Sequence, residues 1–142
     1  MKRSHWPVDV SNTVLLDLCR QVIFDEWDGK CAFHDDKEEP CSGRLEWHHI
    51  KRRNIPHLKY SPTNGILLCQ AHHKLSRYAI WAKRIEEKIG EDRTEWLDDM
   101  ERKLFPDFLA ERGQTRGEFL KSQKEYLVKL IQMGSKGTAK KV

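Results

Sequence analysis

Apolar residues recur at helical spacing near both ends of the chain. After Ser11-Asn12-Thr13, which offers N-cap side chains, the apolar positions predict a helix that ends near the turn Asp28-Gly29. Further on, apolar positions on a charged background predict three helices, at Ala71 to about Gly90, at Asp92–Leu104 before Pro106, and at about Arg116–Met133. Helices are therefore expected to flank a centre with a different pattern.

In that centre, from Cys31 to His73, the apolar runs are short and are separated by proline and glycine. Arg44–Ile50 is predicted to be a strand, and Gly65–Cys69 a second short strand or an extended lead into a helix. Lys51–Asn64 between them is predicted to be a long loop, of the length that usually carries function or is disordered. The pattern as a whole predicts an α+β fold.

We interpret residues 1–142 as a single domain. Within it, residues 1–28 form a leader and a helix, 29–75 a small core, 76–133 a helical extension, and 134–142 a basic tail. No apolar run reaches the length of a membrane span, and no apolar segment follows the basic pair near the N-terminus. We therefore expect a cytoplasmic protein, in a compartment where clustered cysteine and histidine favour metal over disulfides.

Composition adds two expectations. Charged residues make up 34% of the chain and hydrophobic residues 38%, so we expect a metal to supplement the apolar core. The formal net charge of +4 is compatible with a polyanionic partner without requiring one.

Histidine and cysteine are concentrated in the centre, where all the histidines except His5 lie. Two Cys-x-x-His pairs, Cys31 with His34 and Cys69 with His72, predict one tetrahedral structural zinc that ties the start of the region to its end. Cys41 is a rival ligand. The alternatives are ordinary buried residues or a Cys31–Cys41 disulfide.

Two adjacent histidine pairs predict a second metal site. His48 and His49 should point to opposite faces of their strand, so that one binds metal while the other contacts a water molecule. His72 and His73 diverge by about 100° at a helix start, so His73 is free to face a catalytic ion. Glu46 is interpreted as a salt-bridged surface residue, with a metal ligand or an orienter of a histidine as alternatives.

The run His49, Asn64, Cys69-x-x-His72-His73 resembles the motif of the HNH (His-Me finger) endonucleases. The resemblance implies a ββα-metal core in which His49 is the general base, Asn64 is the second catalytic residue, and His48 and His73 hold the catalytic ion. His48 stands where aspartate is common in that family, which favours Mn, Ni, Co or Zn over a purely oxygen-ligated ion such as Mg. From Cys31 to Met133 the chain also resembles the NinG/Rap-type phage recombination nucleases.

The resemblance implies hydrolysis of DNA, duplex or branched, in a bacterial host cell, with a phage as a source of the gene. A homodimer would suit paired cuts. The basic residues after His49 are interpreted as a phosphate-binding loop with His57 beside them; they are Lys51, Arg52, Arg53 and Lys59. The alternatives are a non-catalytic zinc module that binds nucleic acid and a protein-interaction module built on the C-terminal helices.

Overall fold

The computed structural model describes residues 11–134, in an α+β arrangement that is mostly helical. Its elements in chain order are α1 Asn12–Glu26, β1 Leu45–His49, α2 Pro56–Lys59, a 3-10 turn Pro62–Asn64, β2 Gly65–Cys69, α3 Gln70–Leu75, α4 Ala79–Ile89, α5 Glu91–Arg102, α6 Phe105–Arg112 and α7 Arg116–Met133. The leader before residue 11 and the basic tail from residue 135 lie outside the described residues. No helix within residues 11–134 has the length and apolar character that crossing a bilayer requires.

The terminal helices and both strands confirm the predictions made from periodicity. Ser11 caps α1 by accepting a hydrogen bond from the Val14 amide, as its position before the apolar run predicts. At the other end, Thr115 and Glu118 form a capping box at the start of α7. The predicted bounds of α7 match the observed ones.

Prolines account for most of the differences between prediction and structure. The predicted loop Lys51–Asn64 contains both α2 and the 3-10 turn, and Pro56 and Pro62 lie in the first turn of these elements. Pro106 likewise lies in the first turn of α6, a helix that the pattern did not predict. Proline fits the first helical turn because its missing N–H would have no partner there. The predicted helix Ala71–Gly90 is two helices, since Tyr78 is extended and begins α4.

Strand β2 is the centre of the apolar packing. It pairs antiparallel with β1, with Leu45 opposite Cys69 and His49 opposite Gly65. All of β2 is buried. Leu67 packs into one cluster with α1 and α7, whereas Ile66 and Leu68 pack into a second cluster with the region around Cys31 and with α4. Because alternate residues of a strand face opposite sides, β2 is held between two apolar layers.

A buried ion pair joins three parts of the fold. Arg93 on α5 donates from Nη1 to Glu26 Oε2 at the end of α1, over 2.6 Å. Its remaining N–H groups bind the carbonyls of Thr63, Pro62 and Gly65, at 2.9, 3.0 and 2.9 Å. Arg93 therefore fixes the 3-10 turn between α1 and α5, and this turn carries Asn64.

We expect Arg93→Met to lower the free energy of unfolding by about 3–5 kcal/mol, because it leaves the Glu26 carboxylate buried without a partner. Denaturant unfolding of the zinc-saturated protein measures this change. The double variant Arg93→Met with Glu26→Met should recover part of the loss. A single variant as stable as the parent would contradict the role assigned to this pair.

Candidate metal centre and adjoining cleft

Three cysteines and one histidine converge where β2 enters α3. The ligand atoms of Cys31, Cys41, Cys69 and His72 all lie within 4.8 Å of one another. His72 Nδ1 is 3.1 Å from Cys69 Sγ, 3.4 Å from Cys31 Sγ and 3.7 Å from Cys41 Sγ. A tetrahedral zinc with Zn–S of about 2.3 Å and Zn–N of about 2.0 Å would separate sulfur and nitrogen by roughly 3.5 Å. The donor set and its spacing therefore fit a structural metal such as zinc.

The charge state of the thiols also favours a cation here. Burial raises the pKa of Cys31, and burial together with the two neighbouring thiols raises the pKa of Cys41 to about 12. Burial of Cys69 is outweighed by hydrogen bonds from the backbone of His72 and Ser42 and from the side chains of His72 and Cys41, which bring its pKa to about 6. One thiolate thus forms readily, whereas ionising its neighbours needs a positive ion between them.

The cluster differs from the predicted set at one ligand. His34 is exposed, and its Nδ1 lies 3.0 Å from the carbonyl of Cys31 within the turn that follows that residue. Cys41 lies in the cluster instead, because its loop is held against the start of α3 by a 3.1 Å hydrogen bond from the Ala71 amide to the Ser42 carbonyl. Gly43, at φ +83°, packs so closely on Gln70 that a Cβ would overlap it. No cysteine is in a disulfide.

Cys41→Ala should therefore lower zinc affinity by more than the roughly 10- to 100-fold typical of losing an outer-shell partner, and should destabilise the fold. His34→Ala is the matched control and should keep zinc affinity and stability. Metal content after dialysis against a graded chelator, with thermal unfolding of the same samples, distinguishes the two. Zinc loss in His34→Ala with retention in Cys41→Ala would restore the ligand set predicted from the sequence.

A second group of polar side chains lies on one face of β1. His73 Nδ1 is 2.7 Å from Glu46 Oε1, and the rings of His48 and His73 are 5.0 Å apart, centroid to centroid. If Nδ1 donates its proton to Glu46, Nε2 of His73 is left unprotonated for a metal. Burial, with smaller contributions from His73 and His49, lowers the pKa of His48 to about 4, so His48 is neutral at pH 7. Two imidazoles and one carboxylate thus lie near one another. Within residues 11–134, however, the only group of three or more such side chains whose ligand atoms all lie within 4.8 Å of one another is the cluster of Cys31, Cys41, Cys69 and His72.

His49 points to the opposite face of β1, as predicted for adjacent strand residues. Its ring stacks on Trp47 with centroids 4.1 Å apart, and its Nε2 lies 3.3 Å from the Lys59 carbonyl. Donation from Nε2 to that carbonyl leaves Nδ1 with a free lone pair. Burial lowers the pKa of His49 although the bond to Lys59 opposes it. Burial thereby favours the neutral form of His49, which is the form that can accept a proton.

Gly65 supports this arrangement from the partner strand. A Cβ on Gly65 would overlap the Trp47 indole and the side chain of Ile23. The indole can therefore lie against β2 only because position 65 has no side chain. This packing fixes the ring on which His49 stacks.

Asn64 holds the chain just beyond His49. Its Oδ1 accepts from the Lys51 amide at 2.6 Å, its Nδ2 donates to the Lys51 carbonyl at 3.0 Å, and its own carbonyl accepts from the Ile50 amide at 3.0 Å. The residue is completely buried. Its position is that of a residue that fixes the backbone after β1, and the described contacts of its side chain are with backbone atoms.

Asn64→Asp should lower the free energy of unfolding by about 1–3 kcal/mol, because aspartate keeps the acceptor but leaves the Lys51 carbonyl without its donor. Asn54→Asp, an exposed change in the same loop, is the control and should alter stability little. Denaturant midpoints of both variants provide the comparison. Equal denaturant midpoints for Asn64→Asp and Asn54→Asp would show that the hydrogen bonds of Asn64 to the Lys51 backbone add no stability.

His49 and His73 open onto a cleft of about 910 Å³. Glu46, His49 and His73 line it together with Trp47. Its basic lining residues are Arg20, Arg44, Arg53 and Lys59. His49, His73, Glu46 and a set of cations therefore line the same space, whereas His48, the other predicted ligand of a catalytic ion, is not among its lining residues.

The predicted phosphate-binding loop is only partly in this cleft. Arg53 and Lys59 line it, and Arg52 is exposed on the adjoining turn. Lys51 instead points to α5, where its Nζ lies 2.7 Å from Asp98 and 3.2 Å from Glu101. His57 is buried, and its Nε2 donates to the Met100 carbonyl over 2.7 Å. Lys51 precedes α2, whereas His57 and Lys59 lie on it, so α2 separates residues that the sequence pattern predicted to form one continuous basic loop.

Three charged members of the cleft, Arg20, Arg44 and Glu46, are outside the predicted site residues, although Glu46 was one alternative for a ligand or an orienter of a histidine. Arg20 belongs to α1 and Arg44 precedes β1, so neither is near the basic loop in sequence. Glu46 lies two residues before His48 on β1, so both side chains are on the same face of the strand. This spacing is the sequence signal that indicates Glu46 beside a predicted ligand.

The chain matches no protein-family model, and it has no significant match among curated proteins or among solved structures.

Proposed function

We propose that this protein is a metal-dependent endonuclease of the HNH (His-Me finger) type that hydrolyses phosphodiester bonds in DNA. The observation that carries the proposal is the single cleft in which His49, with Nδ1 available, faces the same space as His73, Glu46 and several cations. The succession β1, β2 and α3, with the metal cluster at the start of α3, supports a ββα-metal core.

In this proposal His49 accepts a proton at Nδ1 from the water that attacks phosphorus, while the Lys59 carbonyl keeps the imidazole in the required tautomer. Trp47 holds the plane of the ring by stacking. Asn64 is a positioning residue, since it fixes the backbone of Lys51 two residues beyond the base. The expected products carry 5′-phosphate and 3′-hydroxyl ends.

His48 and His73 would hold the catalytic ion, with Glu46 orienting His73 through Nδ1. A bound divalent ion supplies Lewis-acid stabilisation of the charge that develops on the phosphate and on the leaving oxygen. The imidazole-rich donor set suits Mn, Ni, Co or Zn, and Mg is to be compared with them. Arg20, Arg44, Arg53 and Lys59 would neutralise the phosphates on either side of the scissile bond.

The second candidate is a non-catalytic zinc module that binds nucleic acid. Two features support this module as well as they support a nuclease: the basic cleft, and the cluster of Cys31, Cys41, Cys69 and His72. It gives no reason for a histidine with an unprotonated Nδ1 to face the cleft beside a carboxylate-oriented histidine. A recombination role, branched DNA as the substrate and a homodimer stay predictions from the resemblance.

The zinc-loaded protein should nick supercoiled plasmid when Mn, Ni, Mg, Co or Zn is added, and His49→Ala should lower the rate by about 10²–10⁴-fold through loss of the general base. His34→Ala, the exposed histidine outside the cleft, is the matched control and should cleave at the parental rate. DNA affinity of His49→Ala should change little.

Equal cleavage by His49→Ala and the control would refute His49 as the base. Absence of cleavage with every metal, together with tight salt-sensitive binding, would favour the non-catalytic module.

A further inference from the structure

A smaller cavity of about 150 Å³ adjoins the cleft. Arg53, Asn54 and Lys59 line both spaces, so they form a shared rim. Behind this rim the cavity is lined by Tyr60, Phe105 and Arg116. The loop after β1 therefore lies between the cleft and a second recess.

The recess is electropositive. Arg53, Lys59 and Arg116 contribute cations, and none of its lining residues is acidic. Glu118, the acidic residue of the nearby first turn of α7, accepts a 2.8 Å hydrogen bond from the Thr115 amide in the capping box. Its carboxylate is thus engaged by the helix start, and the three cations stay available to an anion.

One wall of the recess is a fixed aromatic surface. Phe105 stacks parallel to the buried His57 ring, with centroids 5.9 Å apart, and meets Phe119 edge-on at 5.8 Å. These contacts hold Phe105 in place from the side of α2 and α7. A cavity of about this volume accepts a single six-membered ring.

We propose that this recess binds one unpaired nucleotide of the DNA strand next to the scissile phosphate. Arg53 and Lys59 on the rim, with Arg116, contact its phosphate, and the base enters the recess against Phe105. The inference rests on the proposed nuclease function and extends it to a substrate class, DNA in which a duplex meets a single strand. A fully paired strand would have no free base to place there.

The test uses the full-length, zinc-loaded protein carrying His49→Ala, so that binding is measured without cleavage. Two probes of equal duplex length are compared at one salt concentration, a blunt duplex and a duplex with a single-stranded tail. The recess variants are Arg116→Gln and Phe105→Leu. The matched control is Lys129→Gln, an exposed cation on the same helix α7 that lines neither space.

The His49→Ala protein, which is the parent of this series, should bind the tailed probe about tenfold more tightly than the blunt probe, as expected for one stacked base. Each recess variant should lose most of this preference while keeping its affinity for the blunt probe, and Lys129→Gln should keep the preference. For the tailed probe, the slope of log affinity against log salt concentration should be smaller in Arg116→Gln, by the amount that corresponds to about one phosphate contact.

Equal binding of both probes by the parent, or an Arg116→Gln variant that behaves like Lys129→Gln, would overturn the inference while leaving plasmid cleavage as separate support for the nuclease. Absence of DNA binding to either probe, together with absence of plasmid cleavage, would overturn the proposed function as well.

Discussion

Three thiols and one imidazole meet at the junction of β2 and α3, and the position of the whole candidate site depends on them. Cys69 ends β2, and its partner across the ladder is Leu45, the first residue of β1. His72 directly precedes His73, so whatever fixes one imidazole also fixes the backbone of the other. A metal held by this cluster would therefore join the strand that bears Glu46, His48 and His49 to the helix that bears His73.

The position of His49 also depends on a series of hydrogen bonds that links the buried Arg93–Glu26 pair to the backbone just after β1. Arg93 and Glu26 hold the 3-10 turn from beneath, Asn64 in that turn holds the backbone of Lys51, and Lys51 lies two residues beyond His49. Lys51 itself is pinned to α5 through Asp98 and Glu101. The helices after α3 thus contribute to the site without entering it, because α5 supplies both Arg93 and the carboxylates that engage Lys51. The stability of these polar contacts depends on their being buried or partly buried, where an unmatched partner is costly.

Periodicity and residue type were sufficient for α1, α7 and β1, since the two helices carry clear apolar patterns and caps and β1 carries a strand pattern. Gly65–Cys69 was left open between a strand and an extended lead into a helix, and the structure makes it the strand β2. The opposite orientation of His48 and His49 also follows from strand geometry alone. The sequence left Cys41 as a rival ligand and could not choose it over His34, because Cys41 comes from an irregular loop whose approach to α3 depends on Gly43 and on one backbone hydrogen bond. Arg20 and Arg44 enter the cleft through tertiary packing. The short helices α2 and α6 were missed because each has a proline in its first turn, which the pattern treats as an interruption.

The most direct test of His49 as the proton acceptor is chemical rescue of His49→Gly by imidazole. The space left beside Trp47 is open to the cleft, so a free imidazole can occupy it. We expect the cleavage rate of His49→Gly to be very low and to rise with imidazole concentration under saturating metal, while the parent rate changes little. A His49→Gly protein that binds DNA and retains zinc but gains no activity at any imidazole concentration, or one that cleaves at the parental rate without imidazole, would contradict the assignment.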